Sequence, residues 1–228
     1  MSGFVFINQN PYLCIMKYEV FRYIYPPRPK NAVPTTELDF WDNNTMIAQP
    51  KLNGSNCTIY TNGDDFLAYN RHGLHLSNFQ LQKEEILKLY KNINKGTWLV
   101  LNGEYLNKSQ KDETGQIFNH KFVIFDLLVI DSNYLIGKTF QDRVEILDKL
   151  YGRENSEKDY LYKITENIYR VKSYQSGFKD LYNQLTKIDI VEGLVCKRKT
   201  GRLELGIGEN NNVKSQIKFR KATKNYKF

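Results

Sequence analysis

The chain has 228 residues, 41% of them hydrophobic and 14% aromatic, ample for the core of one large domain or two small ones, and 33 Lys and Arg against 25 Asp and Glu leave a net charge of +8. That charge suits a polyanionic partner without identifying one. Three cysteines, Cys14, Cys57 and Cys196, lack the paired spacing of a zinc site, and His72, His75 and His120 have no nearby thiols to complete one. The odd cysteine count points to a reducing compartment, read as the cytoplasm; no run approaches the ~20 apolar residues of a membrane span, and the first sixteen residues lack the basic start of a signal peptide.

Residues 1 to 40 are rich in Tyr, Phe and Pro. Tyr25-Pro26-Pro27-Arg28-Pro29 must be extended, because proline fixes its own φ and biases the residue before it, so this segment is expected to strap the outside of the domain. From Thr45 onward alternation takes over. Thr45-Met46-Ile47-Ala48 and Ser55-Asn56-Cys57-Thr58-Ile59-Tyr60 read as strands, with Lys51-Leu52-Asn53-Gly54 between them and a glycine that lets the backbone turn tightly where a phosphate approaches. Alone, such a tetrapeptide is most often a solvated hairpin turn. Thr58 to Tyr60, the turn Asn62-Gly63-Asp64-Asp65 and Phe66 to Tyr69 predict a hairpin flanking the lysine turn. Leu81 to Lys91 has helical spacing.

Trp98 to Leu106 and Phe122 to Ile130 are apolar, strand-like segments that carry one carboxylate each, Glu104 and Asp126. Thr139 to Tyr151 predicts a helix ended by Gly152, the charged stretch 153 to 159 a loop, and a second helix begins at Ser176 or Gly177 and runs through Leu185. Ile190 to Lys197 then combines Glu192 and Lys197 in a strand, and Gln216-Ile217-Lys218-Phe219-Arg220-Lys221 alternates bases. An ionised group on a buried strand costs several kcal/mol unless it is paired or met by a ligand, so these charges should converge on a site. The order of elements predicts an α+β protein of two antiparallel or mixed sheets flanked by helices, organised as one unit from 1 to 228.

Six segments in order, Lys51-Leu52-Asn53-Gly54, Asn70-Arg71-His72-Gly73, Asn102 to Leu106, Phe122 to Leu128, Val191 to Lys197 and Ile217 to Lys221, resemble the successive motifs of the covalent nucleotidyltransferases. That superfamily comprises the ATP-dependent DNA and RNA ligases and the mRNA capping enzymes. Asn53 stands where the commonest pattern has Asp, and Asn56 where DNA ligases have Arg, so the resemblance is greatest to RNA ligases. It implies the adenylylation-domain fold, ATP with Mg²⁺ or Mn²⁺ as cofactors, and a monomer acting on RNA, whether a nicked duplex or an RNA–DNA hybrid. It also implies joining of 5′-phosphate and 3′-hydroxyl ends through a lysyl-AMP and an adenylylated 5′ end.

By the same resemblance Lys51 is the nucleophile, and Arg71 meets the nucleotide or the RNA 5′-phosphate. Glu104 binds the ribose, Phe125 stacks on the purine and Glu192 holds the metal. Asn53, Gly54, Lys197, Lys218 and Arg220 complete the nucleotide site, while Arg198, Lys199 and Lys221 with Arg71 touch nucleic acid. Asp126 is expected to be a structural or metal-shell carboxylate. The chemistry suits these residue types: a free lysine titrates near ~10.4, so a lysine nucleophile needs cations beside it, and the same cations neutralise a departing pyrophosphate. Arg220 stands where many relatives have Lys; its guanidinium can clamp a phosphate but not act as a general acid.

Singly, Glu104 also fits an edge-strand acid, Phe125 a core aromatic, and Lys218 with Arg220 a solvated strand face. Alternatives to an RNA ligase are a DNA ligase, a GTP-using capping enzyme and a catalytically silent nucleic-acid-binding domain. The chain is expected to carry no oligonucleotide-binding-fold domain after its last motif, so that its own basic surface holds the substrate. High Asn, Lys and Tyr content hints at a viral or phage genome.

Overall fold

The computed structural model describes residues 23–222 except Glu209; the calls on the first sixteen residues, on Cys14 and on the lysines beyond Ala222 lie outside the described residues. Four strands form the smaller sheet in the order β1 (Arg28–Ala32), β11 (Asn212–Arg220), β10 (Val191–Arg198) and β2 (Met46–Leu52). The larger sheet runs β4 (Phe66–Asn70), β3 (Ser55–Thr61), β5 (Leu99–Leu106), β6 (Lys121–Ile130), β9 (Ile168–Val171) and β8 (Leu161–Lys163), with the short β7 (Asn133–Tyr134) beside β6. Pairing is antiparallel except for β1 with β11 and β6 with β9.

Local chemistry accounts for several of these elements. The β3–β4 hairpin turns through Asn62, whose Oδ1 accepts from the Asp64 and Asp65 amides, and through Gly63 at φ 88°. Of the helices, α1 spans Leu38–Trp41, α2 Lys83–Leu87, α3 Phe140–Tyr151 and α4 Phe178–Leu185. Thr139 caps α3 reciprocally with Asp142, and Gly152 ends it at φ 70°.

The helix expected over Leu81 to Lys91 is much shorter. Beyond Leu87 the amides of Lys88, Leu89 and Tyr90 reach back only three residues, and the Tyr90 hydroxyl is drawn to the carbonyls of Asn94 and Thr97, so a turn replaces the next helical bonds. The expected strap is partly sheet: Arg28–Ala32 adds an edge strand to β11 instead of lying across the outside.

Among the described residues a small apolar cluster of Ile47, Phe140 and Val144 and two large ones hold the molecule. One lies on the larger sheet and includes Ile59, Leu101, Phe122, Ile124, Leu127 and α3 residues Leu147 and Leu150. The other draws on both sheets and α4, with Met46, Ala48, Leu52, Val123, Leu194, Ile217, Phe219 and Phe178. Because side chains alternate along a strand, β2 turns Met46, Ala48 and Leu52 into that cluster and Ile47, Gln49 and Lys51 to the opposite face.

Candidate active site

Lys51, Gly193 and Arg220 occupy one rung across β2, β10 and β11. Val191 pairs with Leu52 and Gly193 with Lys51, so Glu192 is the extra residue of a β-bulge. A bulge re-aims the side chain it carries, and here it brings the Glu192 carboxylate onto the lysine face: Oε2 lies 2.5 Å from Lys51 Nζ and 3.0 Å from Arg220 Nη2. Only glycine fits at 193. Its φ is +151°, and a Cβ there would come within 1.9 Å of the Phe219 carbonyl oxygen. Lys218, two residues before Arg220 on β11, faces the same side; burial and the charges of Arg220, Lys51 and Arg28 push its pKa down.

The lysine turn is not a hairpin. β2 belongs to the smaller sheet and β3 to the larger, so Lys51-Leu52-Asn53-Gly54 carries the chain from one to the other, with Asn53 N donating to Ile190 O at 2.9 Å. Gly54 has no positive φ; it is needed because a Cβ would stand 2.4 Å from the Tyr105 carbonyl oxygen. Its amide donates to Glu104 Oε1 at 3.1 Å, which places the β5 carboxylate against the turn. Burial first, and then the Glu192 charge, raise the Glu104 pKa to about 7 against the pull of Lys51, the Gly54 amide and Lys108.

Farther along the same face, four residues beyond Gly193 on β10, Lys197 is buried, 4% exposed. Its Nζ donates to the Phe125 carbonyl at 3.2 Å and lies 4.8 Å from the Phe125 ring centre and 4.5 Å from that of Phe140. Burial lowers its pKa to about 8 despite the pull of Asp126. The half-buried Phe125 thus sits at the junction of β6 with the smaller sheet. Asp126 points elsewhere: both of its oxygens are taken by Arg143 of α3, at 2.7 and 3.0 Å, with both side chains essentially inaccessible. With Oδ1 also accepting from the Leu127 amide, Asp126 serves as a structural carboxylate that anchors α3, away from the lysine face.

Arg71 is exposed in the turn after β4, one residue past the Cys57–Asn70 pair and so beside the rung of Asn56 and Glu104. Arg198 and Lys199 are not gathered with Lys51. They lie five and six residues beyond Gly193, about 16 Å or more along β10, and Lys199 is tied to Gln175. Lys221, expected to touch nucleic acid, instead reaches the carbonyls of Thr186 and Ile188 at 3.4 Å each and braces the end of α4.

Two neighbours of the site carry no motif signal. Gln49 is buried on the lysine face with its Nε2 on Ser173 Oγ and its Oε1 unpartnered among the described residues. Lys108, from the loop after β5, donates to Asn53 Oδ1 at 3.1 Å. A glutamine within a strand and a lysine within a polar loop look ordinary in sequence.

The two-sheet α+β arrangement, with a lysine carried between the sheets and acids and bases converging on it, is the adenylylation-domain fold of ATP-dependent ligases in the nucleotidyltransferase superfamily. The mycobacterial DNA ligase D complexed with ATP and MES shares it at a TM-score of 0.59 and 17% identity, over 86% of this chain and 60% of that one. The ligase domain of LigD from M. tuberculosis shares it at 0.62 and 16%, over 89% and 61%. This chain therefore spans about 60% of the length of those ligases. No curated protein sequence matches. The profile of the RNA ligase family matches residues 44–219, and the chain belongs to that family.

Proposed function

We propose that this chain is an ATP-dependent RNA ligase that works through a covalent lysyl-AMP on Lys51. The observation that carries the reading is the rung of Lys51, Gly193 and Arg220, with the Glu192 bulge and Lys218 on the same face. Lys51 Nζ would attack the α-phosphorus of ATP: a P–N bond forms, the bond to the bridging oxygen of pyrophosphate breaks, and the amine loses its proton. Arg220 and Lys218 would neutralise the negative charge that gathers on the phosphates and the departing pyrophosphate, the main source of catalysis in phosphoryl transfer. Glu104 would accept from the ribose hydroxyls, Phe125 would offer its ring to the purine, and the unpartnered Gln49 Oε1 would accept from an exocyclic amine. The 5′-phosphate of RNA would then displace lysine from AMP, and the 3′-hydroxyl would displace AMP from the RNA.

Among the described residues no three His, Cys, Asp or Glu cluster to hold a metal by themselves. Mg²⁺ does not need such a cluster, being held by one or two carboxylates plus substrate phosphates, and Glu192 on the lysine face fits that donor set. When bound there it would neutralise phosphate charge. RNA over DNA is supported by Asn53 and Asn56, which depart from the DNA-ligase pattern, and by the family.

Incubation with [α-³²P]ATP and Mg²⁺ or Mn²⁺ is expected to label the protein with one AMP, stable to base and labile to acid. Lys51→Ala and Lys51→Arg should both abolish the label, and labelled GTP should not replace ATP. An undiminished adduct in Lys51→Ala would end the assignment; a panel of nicked and single-stranded RNA and DNA then separates the substrates.

A further inference from the structure

We propose that Lys108 is a polynucleotide-binding residue that holds a backbone phosphate of the strand at the rim of the larger sheet; this rests on the ligase reading of the Lys51 site. Four residues after Glu104, Lys108 is exposed, and its Nζ reaches Asn53 Oδ1 at 3.1 Å, two residues from Lys51. No carboxylate among the described residues is in ion-pair contact with Lys108: Glu104 feels its charge without a salt bridge, whereas Glu192 takes both Lys51 and Arg220. The neutral amide matters here. An aspartate at 53 would form an ion pair with Lys108 and cancel it, but an asparagine orients the ammonium without neutralising it and leaves it able to meet an anion.

The loop that carries Lys108 is braced on every side. Asn107 Nδ2 donates to Ser55 Oγ at 3.2 Å, Lys111 N to Asp189 Oδ2 at 3.0 Å, and Ile190 N to the Lys111 carbonyl at 3.2 Å, so the loop joins the larger sheet to the start of β10. Asp112 and Glu113 lie 2.8 and 3.0 Å from the nearly buried Lys158 Nζ, and the Tyr160 hydroxyl donates to Glu113 at 2.7 Å. These contacts hold the loop in place, so the Lys108 ammonium is presented at this rim beside Asn53. Lys218 and Arg220 already serve the triphosphate from the smaller sheet. The anion left for Lys108, outside that face and next to Arg71's end of the larger sheet, is a phosphate of the strand being sealed.

The test measures binding of a nicked RNA duplex with a 5′-phosphate by the full chain, by fluorescence anisotropy, from about 50 to 200 mM NaCl. Each phosphate contact adds about 0.9 to the slope of log affinity against log salt on a duplex. Lys108→Ala should lower that slope by about one contact and weaken binding roughly threefold to tenfold at the low-salt end. Lys108→Arg should keep the slope, and Asn53→Asp, which pairs the lysine, should lose it as Lys108→Ala does. A Lys108→Ala slope equal to the parent's would overturn the proposal. Labelling with [α-³²P]ATP in parallel keeps the two questions apart: a parent chain that forms no adduct counts against the ligase reading, and the slopes still judge Lys108.

Discussion

At the scale of single residues, Glu104 shows that the site is built against stability. Its carboxyl is buried beside Glu192 with a pKa of about 7, well above the ~4.3 of an unfolded glutamate. A raised carboxyl pKa means that the native state prefers the proton. Its contribution is fully present below about pH 4.3 and is lost as pH rises through about 7, so ionised Glu104 burdens the fold at neutral pH. Glu104→Gln keeps an acceptor for the Gly54 amide without the charge. It should therefore raise the melting temperature at pH 8 and leave it nearly unchanged at pH 4.3, while ATP labelling falls at least tenfold. Equal stabilisation at both pH values would show that the carboxylate carries no such strain.

At the scale of elements, what the sequence reveals depends on how local the cause is. Lone charges in apolar strands, the capping pair at Thr139 and Asp142 and the Asn62 turn are local, and the elements they mark are where the pattern puts them. Non-local causes leave no such trace. The chain around Lys51 has hairpin chemistry, yet its two strands join different sheets; Gly54 is required by the Tyr105 carbonyl fifty-one residues on; and Arg28–Ala32 has no alternation, since β11 supplies its partner. The Glu192 bulge is hidden for the same reason, because it exists only in the register with β2. The sequence leaves Asp126 between a structural and a metal-shell role because its partner lies on α3, seventeen residues away. That pair is a strong test of how the helix is anchored. Burial opposes the Asp126 charge, but Arg143 and then Lys197 hold its pKa below the usual carboxylate range, so its stabilisation is present at neutral pH and lost as pH falls. Asp126→Asn strands a buried guanidinium and should cost about 3–5 kcal/mol in urea unfolding, whereas Asp126→Leu with Arg143→Met should recover at least half of that. A single-variant loss under about 1 kcal/mol would mean that apolar packing alone seats α3.

At the scale of the whole molecule, charge is divided by place. The net +8 is not spread evenly: Lys51, Lys218 and Arg220 share one face of the smaller sheet, Arg71 and Lys108 stand at one end of the larger, and Arg198 lies far along β10. The first group is partly buried and compensated by Glu192, and such interactions are weakly screened; the others are exposed, and salt screens them over a Debye length of about 10 Å at 0.1 M. Nucleotide chemistry and strand binding should therefore respond differently to ionic strength. Between about 50 and 200 mM salt, at subsaturating enzyme, sealing of a nicked RNA duplex is expected to fall on the order of tenfold to a thousandfold, because each strand phosphate released takes back its counterions. Self-adenylylation with saturating ATP, which on the proposed mechanism would use the compensated face, should change far less over the same range. Both are read from one labelled reaction, as protein-bound AMP and as joined RNA. Equal loss of the two signals would mean that strand and nucleotide are held by the same charges, and that the exposed end of the larger sheet is not where the polynucleotide binds.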